Sequence, residues 1–213
     1  MNKLDVEFFH DVICSFCYPM SYRMRKIAKE MPELNIIHKS YALAVDEKIY
    51  ELEFGSRENV KDKVLNSWKH ANENDDLKRF NIEGMKNTDF LFPTSMKSLK
   101  ACKVAKMVGS EDLYWDVFDK LQEALFTHNK NIDDDNVIYE LIKETDLDFD
   151  KWLEVYNSKE VIAEVETDLY LAKQYNIKSV PALIIDQKYI LKGAQPYEVI
   201  LESLTEIYNN KFK

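Results

Sequence analysis

The chain reads as an α/β fold interrupted by a large all-helical insertion. It opens strand-helix-strand, it closes strand-strand-helix, and the long stretch between shows helical periodicity alone. The two ends combine into one β-α-β plus β-β-α domain over residues 1–48 and 158–213, and the insertion occupies residues 49–157.

At the start, Leu4, Val6 and Phe8 alternate with Asp5, Glu7 and Phe9, a period of two that predicts a strand with one buried face. From about residue 16 the period lengthens. Met20, Met24, Ile27 and Met31 fall at helical spacing among Arg23, Arg25, Lys26 and Lys29, and Pro32 stops the helix. Residues 35–43, with Ile36, Ile37, Tyr41 and Leu43, are strand-like again. A β-α-β crossover of this kind is nearly always right-handed, with its strands parallel.

Within the insertion, Gly109-Ser110-Glu111-Asp112 predicts one helix ending and another starting on a capping serine with acids in its first turn. Leu113, Val117, Leu121 and Leu125 then share a face. Val137, Ile138, Leu141 and Ile142 mark a further helix, and Val161, Val165, Leu169 and Ala172 a later one. The closing unit runs through the apolar strand Ala182–Ile185, a turn at Asp186-Gln187-Lys188, a second strand at Tyr189–Leu191, and a break at Gly193. Pro196 begins a last helix carrying Val199, Ile200, Leu204 and Ile207.

Composition bounds the partners. Of 213 residues, 38 are acidic and 29 are Lys or Arg, so a net charge of -9 opposes binding to nucleic acid or anionic lipid. Asp5 and Glu7 interrupt any signal-peptide core, and no apolar run reaches the roughly 20 residues of a membrane span, which predicts a cytoplasmic protein. Three cysteines make no disulfide scaffold.

Cys14-Ser15-Phe16-Cys17 lies where the first strand passes into the first helix. A thiol there faces unpaired backbone N–H groups and the positive end of the helix dipole, both of which stabilise a thiolate. Cys14 is therefore the expected nucleophile. Cys17, one turn further on, is placed to resolve a mixed disulfide. A structural zinc site normally takes four ligands, whereas here only Cys102 and four scattered histidines remain, so no metal is expected. Val180-Pro181 precedes the strand Ala182–Ile185, where proline need not donate into a ladder.

With these residues in place the chain resembles the thioredoxin superfamily, its DsbA-like group, and within that a FrnE-like cytoplasmic branch. Val6 to Tyr18, the long insertion, Val180-Pro181 and Gly193-Ala194-Gln195-Pro196 carry the resemblance across the whole chain. It implies a thioredoxin-like fold, a cis peptide at Val180-Pro181 beside the cysteine pair, and a Val180 backbone free to bond an extended substrate. It also implies that Ser15-Phe16 tunes the reduction potential. Ser15 stands where many relatives carry proline, and Phe92-Pro93-Thr94-Ser95 stands where the branch often has Asn-Thr.

Asp11 is a candidate proton acceptor for Cys17 or a loop cap, and Glu7 a more remote relay. His10 as a histidinium would favour a Cys14 thiolate. Phe16 and Tyr18 could offer an apolar landing surface, while Cys102 reads as a small buried hydrophobe. No dissociable cofactor is expected: the Cys14-Cys17 disulfide is itself the redox group, with glutathione a candidate reductant. The expected partners are protein or small-molecule thiols and disulfides, acting on a monomer or homodimer. Two other readings stay open, a glutathione-dependent isomerase or transferase of the 2-hydroxychromene-2-carboxylate isomerase or kappa type, and a non-catalytic binder switched by the disulfide.

Overall fold

The computed structural model describes residues 2–212. Strand β1 (Leu4–His10) leads to helix α1 (Cys17–Glu30) and strand β2 (Leu34–Ser40). Eight helices follow: α2 (Glu47–Phe54), α3 (Val60–Asn74), α4 (Ile82–Lys86), α5 (Met96–Val108), α6 (Glu111–Phe126), α7 (Asp135–Lys143), α8 (Phe149–Tyr156) and α9 (Glu160–Gln174). Strands β3 (Ala182–Ile185) and β4 (Tyr189–Lys192) and helix α10 (Tyr197–Phe212) close the chain. The sheet order is β2-β1-β3-β4, so β1 is central. It runs parallel to β2, pairing Phe8 with His38, and antiparallel to β3, pairing Phe8 with Leu183.

A central strand between two helical layers is buried on both faces, and this corrects the expected one-sided alternation of β1. Val6 and Phe8 join the main core with Met20 and Met24 of α1 and Ile200 and Leu204 of α10. Phe9, on the opposite face, is fully buried in a second core with Ile184 and with Ala172 of α9. Each such side chain contributes about 1.5–3 kcal/mol relative to an exposed position. Glu7 shares the Phe9 face, and burial together with its carboxylate pushes the Tyr175 phenol up to about 12.

The punctuation of the insertion follows local chemistry. Gly109 caps α5, where a Cβ would lie 2.7 Å from the Ala105 carbonyl oxygen, and Ser110 accepts the Leu113 N–H at 3.2 Å to start α6. The β3–β4 turn places Asp186 and Gln187 at φ 53° and 55°, left-handed values that match the twist of the paired strands. α5, α9 and β2 meet at a buried ionic knot. Asp168 of α9 takes Lys103 of α5, Lys39 of β2 at 3.3 Å, and the Ser40 N–H at 2.7 Å.

Among the described residues, no helix is long and apolar enough to cross a membrane.

Candidate active site

The loop between β1 and α1 is wound tightly by its own backbone. Cys14 N–H donates to the Asp11 carbonyl at 3.2 Å, Cys17 N–H to the Cys14 carbonyl at 3.0 Å, and Tyr18 N–H to the Ser15 carbonyl at 3.3 Å. These i-to-i+3 bonds make a narrow first turn, and regular α1 starts at Cys17, within one residue of the start that the sequence periodicity predicts. Both thiols are free. Cys14 retains 6% exposure and Cys17 none, which makes Cys14 the thiol that an incoming molecule can reach.

The second wall comes from the far end of the chain. The Val180-Pro181 peptide is cis, and the Cys14 Sγ donates to the Val180 carbonyl at 3.4 Å. Gly193 N–H holds the Pro181 carbonyl at 2.8 Å. Buried Arg23 of α1 then binds the Gln195 carbonyl at 2.9 Å and the Asp76 carboxylate at 2.8 and 3.0 Å. One guanidinium therefore fastens the 193–196 loop to the connection after α3.

Asp11 is fully buried beside the pair. Its carboxylate accepts the Leu43 N–H at 2.7 Å, the Ser95 hydroxyl at 2.6 Å and the Ile13 N–H at 3.3 Å. Burial outweighs these bonds and raises its pKa to about 6. Burial likewise pushes the Cys17 thiol well up, reinforced by the hydrogen bond and charge of Cys14. Ser15 shares a 3.2 Å hydrogen bond with Ser67 of α3. The site thus holds two free thiols at a helix start with a buried carboxyl of raised pKa beside them.

Two sequence expectations are corrected by burial. His10 forms a 2.9 Å hydrogen bond with His38 inside an aromatic nest of Phe8, Tyr114 and Phe118, and burial holds its pKa well below the ordinary value. Burial thus disfavours the histidinium that the sequence offered as a positive charge beside Cys14. Tyr18 is packed and does not stand free as a landing surface: its ring stacks on Phe126 at 5.4 Å beneath the Arg79 guanidinium, and its hydroxyl meets Thr127 at 3.1 Å. α6 covers it, leaving Phe16 half-buried at the surface. Glu7 sits with Tyr175 on the Phe9 face of the sheet, and Cys102 is wholly enclosed in α5. Ser95, Gln122, Ser67 and Arg23 all touch the site or its supports, and none was singled out from sequence as a functional residue.

A model of the DSBA-like thioredoxin domain matches residues 5–205. The chain superposes on a protein from Nitrosomonas europaea described as a candidate protein disulfide isomerase, with TM-score 0.78, 15% identity and full coverage of both chains. It also superposes on the cytosolic disulfide reductase DsbM from Pseudomonas aeruginosa, with TM-score 0.74, 14% identity and coverage of 95% and 99%, and that protein is known with GSH as well. In sequence it is 27% identical over 99 residues to the ClpXP adapter protein SpxH of Bacillus subtilis (strain 168), covering 44% of this chain. That match spans 33% of the curated relative, about a third of its length.

Proposed function

The chain belongs to the DSBA-like thioredoxin domain family, and on that premise we propose that it is a thiol-disulfide oxidoreductase working through Cys14 and Cys17. Cys14 attacks one sulfur of a substrate disulfide, forming a mixed disulfide and releasing the other sulfur as a thiolate that takes up a proton. Cys17 loses its proton to Asp11 and attacks the Cys14 sulfur. The substrate's second sulfur leaves as a thiol, and the Cys14-Cys17 disulfide remains. Two electrons have passed from the dithiol to the substrate; two molecules of a thiol such as glutathione, oxidised to their disulfide, restore the dithiol.

The observation that carries this reading is the placement of the Cys14 Sγ 3.4 Å from the Val180 carbonyl with the enclosed Cys17 thiol beside it. Phe16 and the Val180 backbone would receive an extended segment of substrate. A cytoplasmic setting is part of the proposal, supported by the likeness to a cytosolic reductase. In such a compartment a moderate dithiol stays mostly reduced, which favours reductase or isomerase work over oxidation. Equilibration across glutathione redox buffers, alkylation and intact-mass counting should give one reversible two-electron transition confined to residues 14 and 17. A pair that never cycles would overturn the assignment.

The match to SpxH favours a second reading, an adapter whose partner contacts depend on the redox state of the pair. Its mark is a partner complex that survives Cys14→Ser.

A further inference from the structure

Gln122 is the one glutamine on the buried face of α6, and its side chain is fully enclosed. Its Nε2 reaches three backbone carbonyls of the redox loop, those of Val12 at 3.3 Å, Cys14 at 3.4 Å and Asp11 at 3.5 Å. A carbonyl can only accept, so three converging carbonyls fix the amide nitrogen, not the oxygen, toward the loop. The Oε1 atom is buried on the other side without a partner. An orphaned buried acceptor is destabilising, a cost the interior bears where the opposite end of the same group has work to do.

We infer that Gln122 is a positioning residue that holds the loop carbonyls inward and thereby favours the reduced state of the Cys14-Cys17 pair. The inference rests on the oxidoreductase reading above. A thiolate at residue 14 is stabilised by backbone N–H groups pointing toward it and is repelled by carbonyl oxygens doing the same. By occupying the carbonyls of residues 11, 12 and 14 from below, the amide keeps their negative ends turned into the protein. Its own N–H hydrogens place positive charge at the base of the loop. A disulfide carries no charge and gains nothing comparable, so the interaction weighs on the reduced form alone. Gln122 touches neither sulfur, so it acts through the loop and not as a catalytic group.

The test compares wild type with Gln122→Met, which keeps length and burial but donates nothing, and Gln122→Glu, which is isosteric but turns the donor into an acid. Each is equilibrated with reduced and oxidised glutathione, and thermal unfolding is followed separately in the oxidised and reduced forms. Gln122→Met is expected to shift the exchange equilibrium toward the disulfide roughly tenfold, equivalent to about 30 mV for two electrons. Gln122→Glu should shift it further at neutral pH. Gln122→Met should also lose more stability in the reduced form than in the oxidised form. If wild type and both variants share one equilibrium constant within twofold, or if the stability loss is equal in the two redox forms, Gln122 is a packing residue and the inference fails. Should Gln122→Met not fold, Gln122→Leu, which removes the amide without adding charge, decides in its place: an equilibrium constant within twofold of wild type overturns the inference. A wild type that shows no transition removes the oxidoreductase reading itself, an outcome recognisable before any variant is compared.

Discussion

The loop from Cys14 to Cys17 and the middle of α5 both enclose a cysteine, and the contrast between them is one of setting at equal burial. Cys17 and Cys102 are each fully buried, and burial pushes both thiols well above the ordinary value. Cys17 begins a helix, lies in hydrogen-bonding reach of Cys14, and receives the Asp11 backbone N–H. Cys102 sits in mid-helix between buried Ala101 and Lys103, with no second thiol assigned to it. On the proposed function, the hidden Cys17 is a chemical group because the chain supplies an accessible partner thiol and a carboxyl beside it, whereas Cys102 has the setting of a small hydrophobe.

Substitutions at the two places should diverge most at Cys14. Cys14→Ser is expected to lower disulfide turnover on the order of 10³-fold or more, whereas Cys102→Ser leaves it within about twofold, read in the same assay of substrate thiol release. Asp11→Asn comes next. Loss of the proposed proton acceptor should slow the resolving step on the order of 10²-fold at neutral pH and abolish the inflection expected of wild type near pH 6.

The same residue gives a stability signature. Asp11 has a folded value of about 6, above its unfolded value, so its contribution is fully present below about pH 4 and is lost as pH rises through about 6. Denaturant titrations should therefore show Asp11→Asn gaining on wild type between pH 4 and 7, by about 3 kcal/mol at most. A pH-independent difference would remove Asp11 from the account.

Smaller effects sharpen the structural side of the contrast. Cys102→Ser buries a hydroxyl in an apolar helix face and should cost about 1–3 kcal/mol in chemical denaturation while exchange chemistry is untouched. Ser67→Ala removes the partner of Ser15 across to α3 and should cost about 0.5–1.5 kcal/mol.

What the sequence disclosed and what it withheld divide along the same line. The cysteine loop, the strand Ala182–Ile185, its turn and the Gly109-Ser110 boundary were legible because each depends on neighbours a few residues away. The second buried face of β1 was not. A polar Glu7 and an apolar Phe9 on one face look solvent-facing until α9 and Tyr175 are known to cover them. His10 looked like a source of positive charge for Cys14 because its buried partner His38 comes from another strand. Tyr18 looked exposed because its cover, Phe126 and Arg79, lies in the insertion.

The supports of the site were hidden by distance along the chain. Ser95 reaches Asp11 across 84 residues and Gln122 reaches Cys14 across 108. One signal was present for Gln122: it is a polar residue at the helical position between buried Phe118 and Leu125, where an amide needs a reason to be. The segment Phe92-Pro93-Thr94-Ser95 stood out as unusual, and its Ser95 proves to donate to Asp11 at 2.6 Å.

The central claim is that Cys14 forms the bond to substrate and Cys17 breaks it. The most direct measurement exposes Cys17→Ser and Cys14→Ser to a peptide disulfide, quenches with acid, and locates any adduct by mass spectrometry of digested protein. The account predicts a mixed disulfide accumulating on Cys14 in Cys17→Ser and none at Cys17 in Cys14→Ser. Equal adducts on both residues, or an adduct only at Cys102, would contradict it.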